Sequence, residues 1–295
     1  MQCCYSPLRY PGGKAKLYKF IEAAIKNSNC IDTYIEPFAG GAAIAIGLLV
    51  NGIVQNVVIN DINIGIYSFW KSIVSKPKEF IELIKTTPVN INTFKKQKEI
   101  YNQEKKYSLK LGFATFFLNR TCFSGVLSSG PIGGYSQKGS YKINARYNKK
   151  ELINRVELIS KYSKHIYVYN MDINKFFSTI NKFSNPFIYF DPPYYLKGEE
   201  LYTNFFTKED HKTIAKKISK IKEPWILTYD NVEQIKGLYK NFDNYVYSLC
   251  YTASIGANKR GSELLYTNKP TLIRKIDKSI KNKIKLLGEK KNGNK

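Results

Sequence analysis

The sequence predicts an α/β fold, a doubly wound and mostly parallel sheet that ends in an antiparallel hairpin. Three observations predict it. Short apolar runs bounded by turn residues alternate with longer amphipathic stretches. Gly40-Gly41 stands just past one such run, where a sheet strand would turn into a helix. The chain has 295 residues, enough for one α/β domain and a smaller second module.

The elements follow in order. Thr33–Glu36 reads as a buried strand, Ala42 to about Val50 as an apolar helix, Val57–Asn60 as a second strand ending at Asp61, and Asn63–Val74 as a helix. Residues 76–146 break this alternation. Lys78–Lys85 and Thr93–Glu104 have amphipathic helical spacing, Leu109–Leu118 is more apolar, and Ser124–Gly134 is rich in glycine and serine, which suits turns and exposed loops. From Lys149 the pattern resumes. Glu151–Tyr162 is a helix, His165–Tyr169 and Pro186–Phe190 are strands, and Lys208–Ile218 is a helix. Trp225–Tyr229 is a strand and Val232–Tyr239 a helix. Tyr245–Tyr251 and Glu263–Tyr266 read as the hairpin arms, joined by Ile255–Gly261. The lysine-rich stretch after Pro270 reads as a frayed basic helix or a disordered tail.

Composition narrows the function. The net charge is +24, with 47 Lys and Arg against 23 Asp and Glu, which points to a polyanionic partner. The excess of Lys over Arg can follow from an AT-rich genome; the shortage of acidic residues does not. Five scattered cysteines, an odd number with no Cys-x-x-Cys pair, and two histidines argue against a zinc site, a disulfide framework and His-dependent hydrolysis. No metal is expected. No long apolar run marks a membrane span, and the N-terminus lacks the layout of a secretory signal, so a cytoplasmic protein is expected.

Two regions carry chemistry. In the first, Glu36-Pro37-Phe38-Ala39-Gly40-Gly41 follows a strand, and its glycines let a ligand approach the backbone. Asp61 lies about twenty residues on, at the next strand end, where a carboxylate accepts from ribose hydroxyls or else caps the following helix. Asp172, past another strand, either accepts from an adenine amine or caps the helix after it. The second region is Asp191-Pro192-Pro193-Tyr194-Tyr195. Consecutive prolines stiffen the loop and leave the carbonyls of Asp191 and Pro192 free. Together with the Asp191 carboxylate they form an acceptor cluster for a group bearing two N–H bonds. The exocyclic amine of a nucleobase is such a group. Its lone pair is conjugated into the ring, and acceptors that draw both hydrogens out of plane free it to attack a sulfonium methyl. Tyr194 would stack on the base, and Phe38, Tyr10 or Tyr195 would place an aromatic face near positive charge.

These residues resemble the DNA adenine methylase (Dam-like) family of N6-adenine methyltransferases. The resemblance runs from Pro7 to about Thr267 and rests on Leu8-Arg9-Tyr10-Pro11-Gly12-Gly13-Lys14, the Glu36–Gly41 turn, Asn60-Asp61, Asn119-Arg120-Thr121 and the Asp191 loop. It implies a Rossmann-like methyltransferase sheet that uses S-adenosyl-L-methionine. Tyr10, Gly12, Gly13, Lys14, the Glu36–Gly41 turn, Asp61, Asp172 and Asp191 would bind the cofactor, with Lys14 pairing its carboxylate. The catalytic set would be Asp191, Pro192, Pro193 and Tyr194. Residues 1–75 and 147–270 would form the catalytic domain, 76–146 a target-recognition domain and 271–295 a basic tail. Asn119, Arg120, Ser124 and Arg146 would contact double-stranded DNA, and a cognate restriction endonuclease is a further expected partner. The rival readings are an N4-cytosine DNA methyltransferase, an N6-adenine RNA methyltransferase and a non-catalytic DNA-binding relic.

Overall fold

Successive residues of a strand point to opposite faces of its sheet, and that alternation divides the interior into two cores. The computed structural model describes residues 5–9, 14–196, 206–250 and 260–290. Strands β1 (Thr33–Glu36), β2 (Asn56–Asn60), β3 (Ile166–Tyr169), β4 (Pro186–Phe190) and β5 (Trp225–Asp230) are parallel. Strands β6 (Asp243–Cys250) and β7 (Arg260–Thr267) form the antiparallel hairpin, and β7 lies between β5 and β6. A further strand, β8 (Leu287–Lys290), pairs with the outer side of β6. The sheet order is β3-β2-β1-β4-β5-β7-β6-β8. The order reverses between β1 and β4, so a crevice opens at the carboxyl ends of these strands.

Tyr34, Val57, Phe187 and Ile226 face one core; their neighbours Ile35, Val58, Ile188 and Leu227 face the other. The first core is covered by α1 (Tyr18–Ser28), α2 (Ala43–Val50), α3 (Ile64–Ser75), α4 (Pro77–Thr86), α5 (Ile91–Gln103), α6 (Leu109–Thr121) and α7 (Lys149–Ser160). The second is covered by α8 (Ile173–Ile180), α9 (Lys208–Ile218) and α10 (Glu233–Leu238). The doubly wound sheet and its terminal hairpin are thus as the sequence predicts.

Three elements differ. Helix α1 is absent from the sequence reading, although Phe20, Ile21, Ala24 and Ile25 have helical spacing and are fully buried. The expected basic tail is structured over its described part. It forms α11 (Pro270–Arg274), α12 (Lys278–Lys283) and β8. Leu272, Ile273, Ile276 and Ile284 reach the first core, where burying apolar area outweighs the solvation of the lysines between them. The helices of residues 76–146 also share that core: Phe80, Phe113 and Phe116 join Phe69 in one cluster of stacked and edge-on rings. Beyond α6 the chain forms loops from Cys122 to Tyr147, with short helical turns and a bridge between Cys122 and Pro131.

Helix α6 sits hard against α3 because Gly112 has no side chain. A Cβ there would lie 2.5 Å from the Ser68 carbonyl oxygen, which is backbone and cannot swing away. In Gly112→Ala, higher helix propensity contributes about 1 kcal/mol, while overpacking costs about 1–3 kcal/mol. We expect overpacking to win and the urea midpoint to fall; an unchanged or raised midpoint would show that α6 is not seated on α3 this closely.

Candidate active site

The Asp191 loop follows β4 directly and is clamped by β5. Thr228 donates to the Asp191 carboxylate at 2.8 Å, and the Tyr189 hydroxyl lies 2.9 Å from the Thr228 hydroxyl. Two residues further along β5, Asp230 accepts from the amides of Tyr195 and Leu196 at 2.9 and 3.1 Å. Polar residues at i and i+2 of β5 therefore hold both ends of the proline-stiffened loop. The sequence reading missed both, and the available signal was two polar side chains closing an otherwise apolar strand. Among the described residues no donor reaches the carbonyl of Asp191 or Pro192. Tyr195 turns away to pack at a tilt against His211, with ring centroids 4.9 Å apart.

A buried charge cluster adjoins the loop. The Lys14 ammonium lies 3.4 Å from Asp191, 3.2 Å from Glu263 and 3.0 Å from the Tyr194 hydroxyl. Tyr194 in turn donates to Glu263 at 2.9 Å. The Lys14 and Glu263 side chains are 3% and 5% exposed, whereas Asp191 keeps 24%, so Asp191 is the member that opens to the crevice. Burial works against the charge on Lys14, but Asp191, Tyr247 and Glu263 outweigh it and hold its pKa well above the usual lysine value. Asp191 is pushed above the ordinary carboxylate range by burial and by Glu263, although Lys14 and Thr228 pull the other way. Glu36, at the end of β1, rises to about 8 because it is buried; the Tyr34 hydroxyl opposes this and Asp191 adds to it. Among the described residues, Asp191 and Glu263 thus share the Lys14 ammonium.

The turn after β1 is held by β2. Asp61 accepts from the Gly40 amide at 2.9 Å and from the Asn63 amide at 2.9 Å. Gly40 has φ +46°, a conformation glycine adopts without strain. Asn63, not Asp61, caps α3. Asn60 donates to the carbonyls of Pro37 and Met171 and accepts from the Met171 amide, which ties together the ends of β1, β2 and β3. Burial lifts Asp61 to about 6 against those two amides. Strand β1 separates β2 from β4, so Asp61 and Asp191 stand two strand spacings apart, about 10 Å. Phe38 is half-buried beside Phe206. Asp172 is exposed and caps α8, the second of its two open roles. Tyr10, Gly12 and Gly13 lie outside the described residues.

The comparisons meet this geometry. Residues 10–253 match the family described as D12 class N6 adenine-specific DNA methyltransferase. The chain belongs to this family. It is similar to the Type II methyltransferase M.CviBI of Paramecium bursaria Chlorella virus NC1A, 26% identical over 88% of this chain and 96% of that one. It is also similar to the Type II methyltransferase M.MjaIII of Methanocaldococcus jannaschii, 27% identical over 80% of this chain and 88% of the relative. The chain is therefore an adenine-specific DNA methyltransferase that acts with a methyl donor, and the cytosine, RNA and non-catalytic readings give way. No helix among the described residues is long and apolar enough to cross a membrane.

The residues expected on the DNA face of this methyltransferase divide. Asn119 and Arg120 are buried, 1% and 8% exposed. Asn119 bonds both the amide and the carbonyl of Arg9, at 2.7 and 2.6 Å, and Arg120 donates to the carbonyl of Arg146 at 2.7 Å. Both side chains are spent on backbone groups that would otherwise be buried unpaired, and they hold the strip that leads to Lys14. Ser124 is half-buried at φ +54°, and Arg146 is exposed. The sequence reading missed Phe123, Tyr135 and Tyr141, which are 51%, 60% and 68% exposed on the 122–146 loops. Gly125 seats these loops on the backbone of Arg9, since a Cβ there would lie 2.8 Å from the Arg9 carbonyl oxygen.

The raised Glu36 pKa has a definite sign for stability. Between its unfolded value of 4.5 and about 8 the native state binds a proton that the unfolded chain releases. Stability from this group therefore falls as pH rises through that window. Glu36→Gln should flatten the decline between pH 5 and pH 8 in urea titrations; an unchanged slope would mean Glu36 is ionised in the native state.

Proposed function

We propose that the methyl donor is S-adenosyl-L-methionine and that the target is a specific adenine rotated out of duplex DNA. The observation that carries this reading is the placement of Asp61 and Asp191 at one edge of the sheet, on either side of the Glu36–Gly41 turn. The donor set fits the cofactor. Asp61 is a buried acceptor suited to ribose hydroxyls, the Gly40 turn admits a close backbone approach, and the acidic surplus of Asp191 and Glu263 over Lys14 complements a sulfonium and an ammonium. Lys14 is engaged by Asp191 and Glu263, so any pairing with the cofactor's carboxylate would share it with them. When bound, the cofactor supplies an electrophilic methyl carbon.

The chain's own residues prepare the amine. The Asp191 carboxylate and the Pro192 carbonyl accept its two N–H bonds and turn the nitrogen lone pair out of conjugation. Thr228 and Lys14 hold the carboxylate still while this happens. The Tyr194 ring takes over the stacking the base leaves behind. Once methylated, the amine would carry a surplus N6 proton, which the Asp191 carboxylate or water would accept, so a strong base is not required.

We read residues 76–146 as the target-recognition region, with contact concentrated on the 122–146 loops, where exposed aromatics stand beside Arg146 and Lys142. The net charge of +24 supports a phosphate-bearing partner. The relatives are named Type II methyltransferases, which supports a place in a restriction–modification pair with a cognate endonuclease. The working compartment is then the one that holds the DNA, read here as the cytoplasm.

Asp191→Ala should remove N6-methyladenine from digested product DNA while circular dichroism stays native; near-normal product would contradict the assignment. Arg146→Ala should weaken DNA binding evenly across sequences and lower the salt slope of the affinity by about 1. A slope equal to wild type would place Arg146 off the phosphate path.

A further inference from the structure

Glu263 enters the reading above only as part of the acidic surplus, yet it is buried in the middle of β7. Its register partners are Asp230 on β5 and Tyr247 on β6, and it is followed by the apolar Leu264 and Leu265. A carboxylate is costly to keep there unless its oxygens are engaged. One oxygen accepts from the Tyr194 hydroxyl at 2.9 Å. The other accepts from the Tyr247 hydroxyl and lies 3.2 Å from Lys14.

We propose that Glu263 is a positioning residue for methyl transfer, fixing the plane of the Tyr194 ring and keeping Lys14 from closing fully on Asp191. The proposal rests on the assignment of Asp191 and Tyr194 to the amine and the base. A tyrosine on a short loop can turn about two side-chain torsions. Here its hydroxyl accepts from Lys14 at 3.0 Å and donates to Glu263 at 2.9 Å, so both torsions are set from the far end of the ring. The ammonium lies 5.0 Å from the ring centroid, the separation that a hydrogen bond to the hydroxyl produces by itself. It need not cover the face on which a base would stack.

The charge has a second consequence. Lys14 is shared between two carboxylates at nearly equal distance, 3.4 and 3.2 Å. Without the Glu263 charge the ammonium would be drawn closer to the Asp191 oxygen that it already shares with Thr228, and that carboxylate would be a weaker acceptor when the amine arrives. Glu263 also makes Asp191 easier to protonate, so its removal should lower the Asp191 pKa.

The test uses the full chain with duplex DNA carrying its target, and wild type as control. Glu263→Gln keeps an acceptor for Tyr194 and removes the charge. We expect single-turnover methyl transfer to slow by about tenfold or more, the acid limb of its pH profile to move to lower pH, and KM for cofactor and DNA to stay within about threefold. Glu263→Ala also frees the ring, and 2-aminopurine at the target position should fluoresce more brightly than with wild type or Glu263→Gln, because stacking on Tyr194 is lost. A folded Glu263→Gln with wild-type rate and an unmoved acid limb overturns the proposal, since a merely structural ion pair would leave both unchanged. If the Glu263 variants fail to fold, Tyr247→Phe decides: it loosens Glu263 from one side, and an unaltered transfer rate overturns the proposal. A wild-type chain that methylates no adenine would instead sink the functional reading itself.

Discussion

One buried ammonium holds the site together. Lys14 is almost wholly removed from water, and an unpaired charge there would cost several kcal/mol. It persists because Asp191, Glu263 and the Tyr194 hydroxyl converge on it from the loop after β4 and from β7. The same cluster sets the chemistry. Because carboxylates outnumber the cation, Asp191 is both held in place and left with spare acceptor capacity toward the crevice.

Around that cluster, hydrogen bonds between strand ends do the positioning. Asn60 joins three strand ends, Asp61 ties the glycine turn to β2, and Thr228 with Asp230 clamps the proline loop to β5. Each bond satisfies a polar group at the sheet edge and in doing so fixes a loop that faces the ligand. Rigidity at such an edge matters because preorganised acceptors need not be rearranged as charge develops. Asn119, Arg120 and Arg155 extend the same device to the N-terminal strip, bonding the backbone of Ser6, Pro7 and Arg9.

Much of this architecture was legible along the chain. Apolar runs of strand length gave the parallel strands, and the prolines of 192–193 announced a stiff acceptor loop. The resemblance carried by the Glu36–Gly41 turn and Asn60-Asp61 pointed to the family that the comparisons assign. The burial of Asn119 and Arg120 was not legible. Asn119 and Arg120 are polar residues at the end of a helix before a loop, a pattern that suits ligand contact as readily as backbone clamping. Glu263, Thr228 and Asp230 carry no local motif and went unread.

Local pattern determined the elements and the acceptor loop, because strand alternation, helical spacing and proline stiffness are properties of neighbouring residues. Tertiary structure alone decided the partners of Lys14, the clamping of the 6–9 strip by α6, and the folding of the lysine-rich C-terminal segment onto the first core. Those outcomes depend on which distant groups share a volume without water. A charge or an amide in such a volume takes whichever partner lies within reach, and the distance along the chain does not enter.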